Sequence, residues 1–325
     1  MMVIWVAICG QTLAAHAQAA STNPGQTYPN KPIRVIVGFA AGGGTDIAAR
    51  TVAAPLSEAL RASVVVDNRP GAGGTIGNAL AAKAPADGYT LLMTANGPHV
   101  IAPNLYPSLE YDVFRDYTPV SLVASGPYVL LVHPGVAANS VSELIAWLSK
   151  QPVPAKYSSA GQGTPAHLAA ELFRAAAKVQ LTHVPYKGAA PALTALLGGE
   201  VDILFSDMPV AAPHLKGGRV HALAVTTSKR SALAPDLPTI AEAGVRGYEA
   251  SVWYGLLAPA GTPEVVIKRL NMEVVRVLDR KEVRERFASL GSTAASSSPR
   301  EFSETIRRDF DRWAKVVKDA GIKLD

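Results

Sequence analysis

The sequence predicts an α/β protein built from largely parallel sheets. Strand-like and helix-like segments alternate along residues 28–325, which is typical of strands joined by helical crossovers. The apolar strands carry β-branched residues without polar alternation, as strands that are buried on both faces do. With about 300 residues after the first apolar segment, the chain is long enough for two domains, each with its own core.

The clearest of these units is the segment 33–50, IRVIVGFAAGGGTDIAAR. It predicts a buried strand over residues 33–39, a turn at three glycines, and a helix capped by Thr45 and Asp46. Such a junction directs unpaired N–H groups and the positive end of a helix dipole at one point, which suits a carboxylate or a phosphate. Gly44 stands where a nucleotide-binding loop needs lysine, so nucleotides are disfavoured. A glycine-rich turn without any ligand remains the alternative.

The N-terminus predicts a signal peptide. Residues 3–15 form an apolar segment too short to cross a bilayer, and Ala15, Ala17 and Ala19 give the Ala-x-Ala pattern of a cleavage site. We therefore expect residues 1–19 to be removed when the protein is exported. The single cysteine, Cys9, lies in this segment, so the mature chain has no thiol for a disulfide or a nucleophile.

The composition indicates a globular protein that attracts anions. Hydrophobic residues make up 48% of the 325 residues and charged residues 18%, with a net charge of +5, which is too apolar for a disordered chain. A mildly basic protein favours anionic partners. Nucleic acid is not expected, because the Lys and Arg residues are scattered and are not combined with stacking aromatic residues.

The first domain is predicted to continue to Gly126-Pro127, where the chain crosses into the second domain. Its strand over residues 89–94 ends in the polar turn Asn96-Gly97-Pro98-His99, which can face the same cleft as the three-glycine turn. Further strands are predicted over residues 64–66, 119–125 and 128–133.

The second domain repeats the strand, glycine turn and helix of the first. The strand ending at Ser159 runs into Gly161, Gly163 and Thr164, with Thr164 at the N-cap and Pro165 at the first helical position. His167 then lies in the first turn, where its ring could reach an anion at the helix end; capping or packing is the alternative. A dinucleotide site is disfavoured, because no acidic residue follows at the spacing that reads a ribose.

Two more strand ends in the second domain carry candidate residues. The strand over residues 181–185 leads through Lys187 and Gly188 into a helix. The strand over residues 201–205 leads to Asp207, which is either a helix N-cap or a side chain exposed where open α/β sheets bind ligands. A later strand, over residues 252–257, is predicted to return to the first domain, and the last helix lays one apolar stripe on its core.

From residue 28 to residue 325 the chain resembles the periplasmic solute-binding proteins of tripartite tricarboxylate transporters, the Bug or TctC-like family. The resemblance rests on many motifs in the order of the family, including YPNKPIRVIVGFAAGGGTD, VVDNRPGAGGTIG, SSAGQGTPAHLAAELF, HVPYKGAAPALTALLGGEVD and WYGLLAPAGTP. The turn 96–99 departs from the family pattern, in which a small residue is often followed by Thr-His.

The resemblance implies a class II periplasmic binding protein fold, with two α/β lobes that are each a mostly parallel sheet flanked by helices. Lobe one is expected to comprise residues 28–125 and 246–325, and lobe two residues 126–245. The loops 39–46 and 159–167 correspond to the family's ligand-gripping loops. The residues expected to contact the ligand are Phe39, Ala41, Gly42, Gly43, Gly44, Thr45, Asp46, Asn96, Ser159, Gly161, Gly163, Thr164, His167, Lys187, Gly188 and Asp207.

Three functions are compatible with the sequence. The resemblance implies a monomeric binding protein that delivers a di- or tricarboxylate, an acidic amino acid or an aromatic acid to membrane permease subunits, without cofactor or metal. An exported enzyme is disfavoured, because the chain has no G-x-S-x-G, no H-E-x-x-H and no cysteine nucleophile. A sensor subunit that reports its ligand to a membrane kinase is the remaining alternative.

Overall fold

The computed structural model describes residues 28–215, 217–231 and 234–319. The predicted signal peptide therefore lies outside the described residues. No helix within these ranges is both long and apolar enough to cross a membrane.

Strands and helices alternate along the described chain, as the sequence predicts. The strands are β1 (Ile33–Val37), β2 (Val64–Asn68), β3 (Thr90–Ala95), β4 (Tyr117–Val132), β5 (Ala155–Ser159), β6 (Leu181–Pro185), β7 (Ile203–Asp207), β8 (His221–Val225), β9 (Ser251–Pro259) and β10 (Thr293–Ala294). The helices are α1 (Gly44–Leu60), α2 (Thr75–Ala82), α3 (Val141–Leu148), α4 (Pro165–Ala177), α5 (Ala189–Leu197), α6 (Met208–Leu215), α7 (Glu264–Asp279), α8 (Lys281–Ser289) and α9 (Pro299–Asp319).

The strands form two groups, each with three parallel strands, that are joined through the antiparallel strand β4. In lobe one β1 pairs in parallel with β2 and β3, and β9 runs antiparallel to β3. In lobe two β5 pairs in parallel with β6 and β7, while β4 runs antiparallel to β7 and β8. Parallel strands need helical crossovers, and these crossovers cover both faces of each group. The structure therefore confirms the predicted two-lobe α/β architecture.

The chain crosses between the lobes on continuous strand. The sequence predicts two strands separated by Gly126-Pro127, and this is wrong, because β4 runs unbroken through both residues for 16 residues. Pro127 pairs with Ser251 of β9, and the next residue, Tyr128, pairs with Asp207 of β7. Neighbours on both sides hold the strand extended, so the expected break is replaced by a change of partner. The predicted return of the chain to lobe one on β9 is confirmed.

Each lobe has a hydrophobic core on both faces of its strands. In lobe one, α1 and α7 cover one face and α9 covers the other. The predicted apolar stripe of α9 is confirmed, since Phe302, Ile306, Trp313 and Val317 are buried against this face, with Phe310 partly buried. In lobe two, α3 and α4 cover one face and α5 and α6 the other. This packing holds the N-termini of α1 and α4, the helices that follow β1 and β5, in fixed positions on the sheet.

Candidate functional site

The glycine loops of the two lobes face each other across a small cavity at the carboxyl ends of β1, β5 and β7. Lobe one contributes the start of α1, lobe two the start of α4, and the crossing strands β4 and β9 contribute one tyrosine each. The lining residues are Phe39, Gly43, Gly44, Thr45, Ala95, Tyr128, Ala160, Thr164, Pro165, Ala166, Ala189, Leu204, Phe205, Asp207 and Tyr254. We call this space the inner cavity.

The two lobes are closed over the inner cavity. The Ala40 N–H donates to the Lys187 carbonyl at 3.2 Å, and the Tyr106 hydroxyl donates to the Gln162 carbonyl at 3.2 Å. The inner cavity offers about 20 Å³ to the centre of a water molecule, which is space for one or two waters. A larger ligand therefore requires the lobes to separate.

In lobe one the loop before α1 is organised by an acidic side chain. The N-cap of α1 is Gly43 and no side chain caps it, so the predicted cap at Thr45 is wrong. Asp46, the third helical residue, accepts a hydrogen bond from the Gly42 N–H at 2.9 Å and others from Arg50 and Asn68. Burial opposes its ionisation, but these three donors hold the pKa of Asp46 below its usual range. Asp46 thus positions its own loop and does not line the inner cavity.

Thr45 is the second residue of α1 and faces the inner cavity. The residue is buried, and its hydroxyl makes no hydrogen bond to another described residue. No acceptor or donor of the loop therefore competes for this hydroxyl. It lies beside the first N–H groups of α1, which have no partner within the helix.

In lobe two the loop before α4 is closed by its own side chains. Thr164 is the N-cap, as predicted, and its hydroxyl accepts from the His167 N–H at 3.4 Å while donating to the Gly161 carbonyl at 2.6 Å. The Ser159 hydroxyl accepts from the Gly161 N–H at 3.1 Å. Both hydroxyls are therefore committed to the loop, although Thr164 lines the inner cavity.

His167 points back to its own loop. Its Nδ1 accepts a hydrogen bond from the Gly163 N–H at 3.2 Å, so this ring nitrogen carries no proton. Burial lowers the pKa of His167 to about 4. The residue does not line the inner cavity, and the sequence-based alternative of a capping or packing role describes its place in the structure.

A buried carboxyl group, that of Asp207, lies in the inner cavity where the two lobes meet. Asp207, the last residue of β7, lies close to Gly44 of α1 and to the hydroxyls of Tyr128 and Tyr254. Burial raises the pKa of Asp207 to about 6, while these three neighbours act in the opposite direction. The Tyr254 hydroxyl is itself buried without a completed hydrogen bond among the described residues. The inner cavity therefore contains one carboxyl group that is neutral below about pH 6.

Among the described residues, no Lys, Arg or His side chain lines the inner cavity. Lys187 instead lines a second, outer cavity of about 370 Å³, together with Gly161, Gln162 and the glycine turn 71–74. Phe39 and Ala160 belong to both linings and separate the two spaces. Partial positive charge is directed at the inner cavity by helix N-termini, those of α1 and α4 and also that of α5, whose first residue, Ala189, is part of the lining.

The predicted polar turn after β3 is buried away from the inner cavity. Its residues form a short π-helix, and the Asn96 amide donates to the Ser251 carbonyl of β9 at 2.9 Å. Gly97 packs directly against Pro165 of lobe two. His99 is fully buried between the rings of Tyr117 and Trp253, and burial lowers its pKa to about 3. This turn contacts the junction of the lobes and supports β9.

The structure brings some of the predicted residues to the inner cavity and leaves others behind it. Those that line it are Phe39, Gly43, Gly44, Thr45, Thr164 and Asp207. Those that line neither cavity are Ala41, Gly42, Asp46, Asn96, Ser159, Gly163, His167 and Gly188. No ligand contact is observed for any of them, so their ligand-binding roles stay predictions.

The sequence analysis missed the two tyrosines beside Asp207. Tyr128 directly follows the predicted crossing at Gly126-Pro127, and Tyr254 lies in the strand predicted to return to lobe one. An aromatic residue at each crossing is the signal that could have identified them. Among the described residues no group of three or more His, Cys, Asp or Glu side chains could hold a metal ion.

The family model of the tripartite tricarboxylate transporter family receptor, TctC, matches residues 48–322. The chain belongs to this family. The resemblance read from the motifs is confirmed, because BugT of Bordetella pertussis is 39% identical over 320 residues, covering 98% of each chain. A protein encoded in the tcbD-tcbE intergenic region of Pseudomonas sp. strain P51 is 37% identical and covers 95% of this chain and 92% of its own.

Solved structures of TctC relatives share the fold. A Rhodopseudomonas palustris protein with adipate has a TM-score of 0.89 at 38% identity, covering 91% of this chain and 99% of its own. The periplasmic binding protein BugD has a TM-score of 0.88 at 34% identity, with 92% and 100% covered. MatC from R. palustris with bound malate has a TM-score of 0.86 at 34% identity, with 89% and 100% covered.

Proposed function

We propose that this TctC-family protein is exported to the periplasm, captures a small carboxylate between its two lobes, and delivers it unchanged to the membrane subunits of a tripartite tricarboxylate transporter. The family is one of substrate-binding receptors, and relatives of the same fold contain adipate or malate. The sequence of residues 1–19 supports export.

One observation carries the proposal: the N-termini of α1 and α4 come from different lobes and reach the same cavity, and no Lys or Arg side chain of the described ranges lines it. Backbone N–H groups at a helix end bind carboxylates and phosphates without a cationic side chain. The Thr45 hydroxyl supplies one further donor that the loop does not use. A carboxylate held from both sides stabilises the closed arrangement of the lobes.

Binding requires the lobes to open, since the inner cavity has space for only one or two waters. The paired strands β4 and β9 cross between the lobes where Pro127 pairs with Ser251, and they provide the axis for a hinge motion. We propose that the lobes comprise residues 28–125 with 246–325, and 126–245; the pairing of Pro127 with Ser251 supports this division. The inter-lobe bonds of Ala40 and Tyr106 break on opening.

A thermal-shift screen of the mature protein with carboxylic acids tests the ligand class. A ligand present at a hundred times its Kd adds about 2.7 kcal/mol to the free energy of unfolding. We expect adipate, malate or another di- or tricarboxylate, or an aromatic acid, to raise the melting temperature, and sugars and nucleotides to leave it unchanged. A shift with ATP or NAD alone would contradict the proposal.

Two further measurements separate binding from catalysis. Small-angle scattering should give a smaller radius of gyration in saturating carboxylate than in buffer, because the ligand favours closure. Mass spectrometry of the bound carboxylate after prolonged incubation should recover it chemically unchanged. Conversion of the carboxylate into a product would assign the protein to the enzymes.

A further inference from the structure

The two glycine loops are held by the same hydrogen bond from different chemical groups. In lobe one the third residue of α1, Asp46, accepts the Gly42 N–H at 2.9 Å; in lobe two the third residue of α4, His167, accepts the Gly163 N–H at 3.2 Å. In each case the donor is four residues earlier and immediately precedes the N-cap. The bond therefore fixes the approach of the loop to the helix. Only lobe two makes it with a group that loses its acceptor when it binds a proton, which for His167 happens in acid, as the pH falls from 6.5 toward 4.

His167 is part of a buried aromatic stack. Its ring lies 4.3 Å from that of His183 at an interplanar angle of 19°, and His183 lies 4.8 Å from the ring of Tyr157 at 17°. His167 is buried on α4, while its two ring neighbours lie on β6 and β5. The stack joins three elements directly behind the loop.

The second histidine of the stack reaches the other end of the same loop. His183 Nε2 and the Ser159 hydroxyl are 2.6 Å apart, and either atom is the donor, depending on the tautomer of His183. The Ser159 hydroxyl accepts the Gly161 N–H. His183 thus fixes the beginning of the loop through Ser159, and His167 fixes its end through Gly163.

We propose that His167, with the stacked His183, is the positioning residue that holds residues 159–164 in the ligand-receiving conformation, and that protonation of His167 releases this loop while the loop of lobe one stays in place. The consequence for ligand affinity rests on the proposed function. The structural part of the proposal concerns the loop alone.

The chemistry follows from the two hydrogen-bonding states of imidazole. A neutral ring accepts at one nitrogen, whereas an imidazolium donates at both and cannot accept the Gly163 N–H. A charge on His167 would also be buried within 4.3 Å of the His183 ring, where desolvation opposes it. Asp46 in lobe one remains an acceptor at any pH at which it is ionised.

The groups that face His167 come from its own helix and from the two adjacent strands. Glu171 and Arg174 lie on α4, Tyr157 on β5 and His183 on β6. Burial is the largest influence and lowers the pKa of His167, Glu171 raises it, and Arg174 lowers it, with a result of about 4. Glu171 is also paired with Arg174 at 2.7 Å, which limits the support it gives to an imidazolium.

Amide hydrogen exchange of the carboxylate-free mature protein tests the loop directly. The folded loop carries His167 with a pKa of about 4 in place of the ordinary 6.5, so opening binds a proton between these values. We expect the protection factor of the Gly163 amide to fall about 50-fold from pH 7 to pH 4.5. The Gly42 amide in the same sample should keep its protection, because Asp46 stays ionised throughout.

Two variants separate positioning from simple packing. His167→Asn retains a hydrogen-bond acceptor near the position of Nδ1 and does not titrate, so Gly163 should stay protected at both pH values. His167→Phe retains a ring for the stack but has no acceptor, so Gly163 should be unprotected already at pH 7. Equal protection of Gly163 in His167→Phe and the wild type would overturn the proposal, as would a pH-independent Gly163 in the wild type.

Nitrogen-15 NMR of labelled histidine provides a second test, because it reports the protonation state and tautomer of His167, on which a purely structural role would not depend. We expect His167 to be neutral at pH 7 with its proton on Nε2, and a proton on Nδ1 would contradict the proposal. Calorimetry with adipate then links the loop to binding: from pH 6 to pH 4.5 the affinity should fall more steeply in the wild type than in His167→Asn, in which only Asp207 and the ligand titrate. If no carboxylate binds at any pH, the proposed function fails, while the exchange data still decide the inference.

Discussion

The β1–α1 loop of lobe one and the β5–α4 loop of lobe two have the same architecture and different internal bonding. Both follow a buried strand, contain glycines and begin a helix at the inner cavity. In lobe one the N-cap is a glycine and the Thr45 hydroxyl has no partner within the described chain, whereas in lobe two the Thr164 hydroxyl makes two bonds to its own loop. Lobe one thus keeps a free donor for a ligand, and lobe two has a self-supporting loop.

The groups that hold the two loops also lose their stabilising effect at different pH values. Asp46 has a lowered pKa, so its stabilising effect is present above the unfolded value of 3.8 and is lost only below it. His167 is neutral in the fold and its pKa is lowered from 6.5 to about 4, so its contribution is complete above pH 6.5 and is lost as the pH falls toward 4. Acid therefore releases the loop of lobe two before the loop of lobe one.

The largest expected effect tests the first helical position, which is Gly44 in lobe one and Pro165 in lobe two. A Cβ on Gly44 would lie 2.6 Å from Asp207 Oδ2 and would also meet the Tyr254 hydroxyl. We expect Gly44→Ala to prevent closure and to weaken carboxylate binding by about 3 kcal/mol, or about 150-fold, as overpacking does. Calorimetry measures the loss.

The neighbouring glycine is the matched control for this change. A Cβ on Gly43 would meet no atom closer than 3.5 Å, and its φ of −80° suits any residue. Gly43→Ala should bind within about threefold of the wild type, and both variants should retain the far-ultraviolet circular dichroism of the wild type. Equal binding by the two variants would show that the start of α1 does not meet lobe two in the closed state.

The second effect concerns Asp207, which lobe two places at the start of α1. Its pKa is raised from 3.8 to about 6, so the folded state binds the proton more tightly than the unfolded chain, and stability is lost as the pH rises from 3.8 to 6. Asp207→Asn should therefore raise the free energy of unfolding at pH 7.5 by up to about 3 kcal/mol. Urea titration at pH 4 and 7.5 measures the difference, which should be small at pH 4.

Carboxylate binding should depend on Asp207 in the same pH range. An ionised Asp207 repels an anion in the inner cavity, so wild-type affinity should fall up to about tenfold per pH unit above pH 6. The affinity of Asp207→Asn should be flat from pH 6 to pH 8. A pH-independent wild type would place the bound carboxylate away from β7.

The third effect compares the two residues that reach back to their loops. In the wild type, the free energy of unfolding should fall by about 3 kcal/mol between pH 6.5 and pH 4 because of His167. His167→Asn has no titrating group at this position and should not show this fall. Asp46→Asn should lower the free energy of unfolding by the same amount at every pH in this range, because the hydrogen bond from Arg50 loses its charged acceptor. Urea unfolding from pH 4 to pH 7 reports both. Parallel curves for His167→Asn and the wild type would contradict the comparison.

The smallest expected effect distinguishes the two threonines. Thr45→Val removes a hydroxyl that has no partner among the described residues, so we expect carboxylate affinity to fall by about 2 kcal/mol with little change in melting temperature. Thr164→Val removes an N-cap and should cost about 1 to 2 kcal/mol of stability. Calorimetry and thermal melts on both variants check the contrast. An unchanged affinity in Thr45→Val would show that Thr45 is not the side chain that donates a hydrogen bond to the ligand.

The sequence by itself determined the α/β class, most strands and helices, and the N-cap at Thr164. These features depend on neighbours within one turn or one strand, and the residue pattern encodes them directly. Local reasoning misplaced the start of α1, because Thr45 and Asp46 both have capping side chains while the glycines before them can adopt either conformation. The exact lobe boundaries stay a prediction.

Only the tertiary structure decided which side chains meet at the cavity. Asp207 reaches Gly44 and Tyr254, and His183 reaches His167 and Ser159, because strand pairing brings together residues that are far apart in the chain. The pattern of one strand shows that its end is exposed to a cleft but not which partner lies opposite. Closure of the lobes, which reduces the cavity to one or two waters, likewise follows from contacts between loops that no local segment contains.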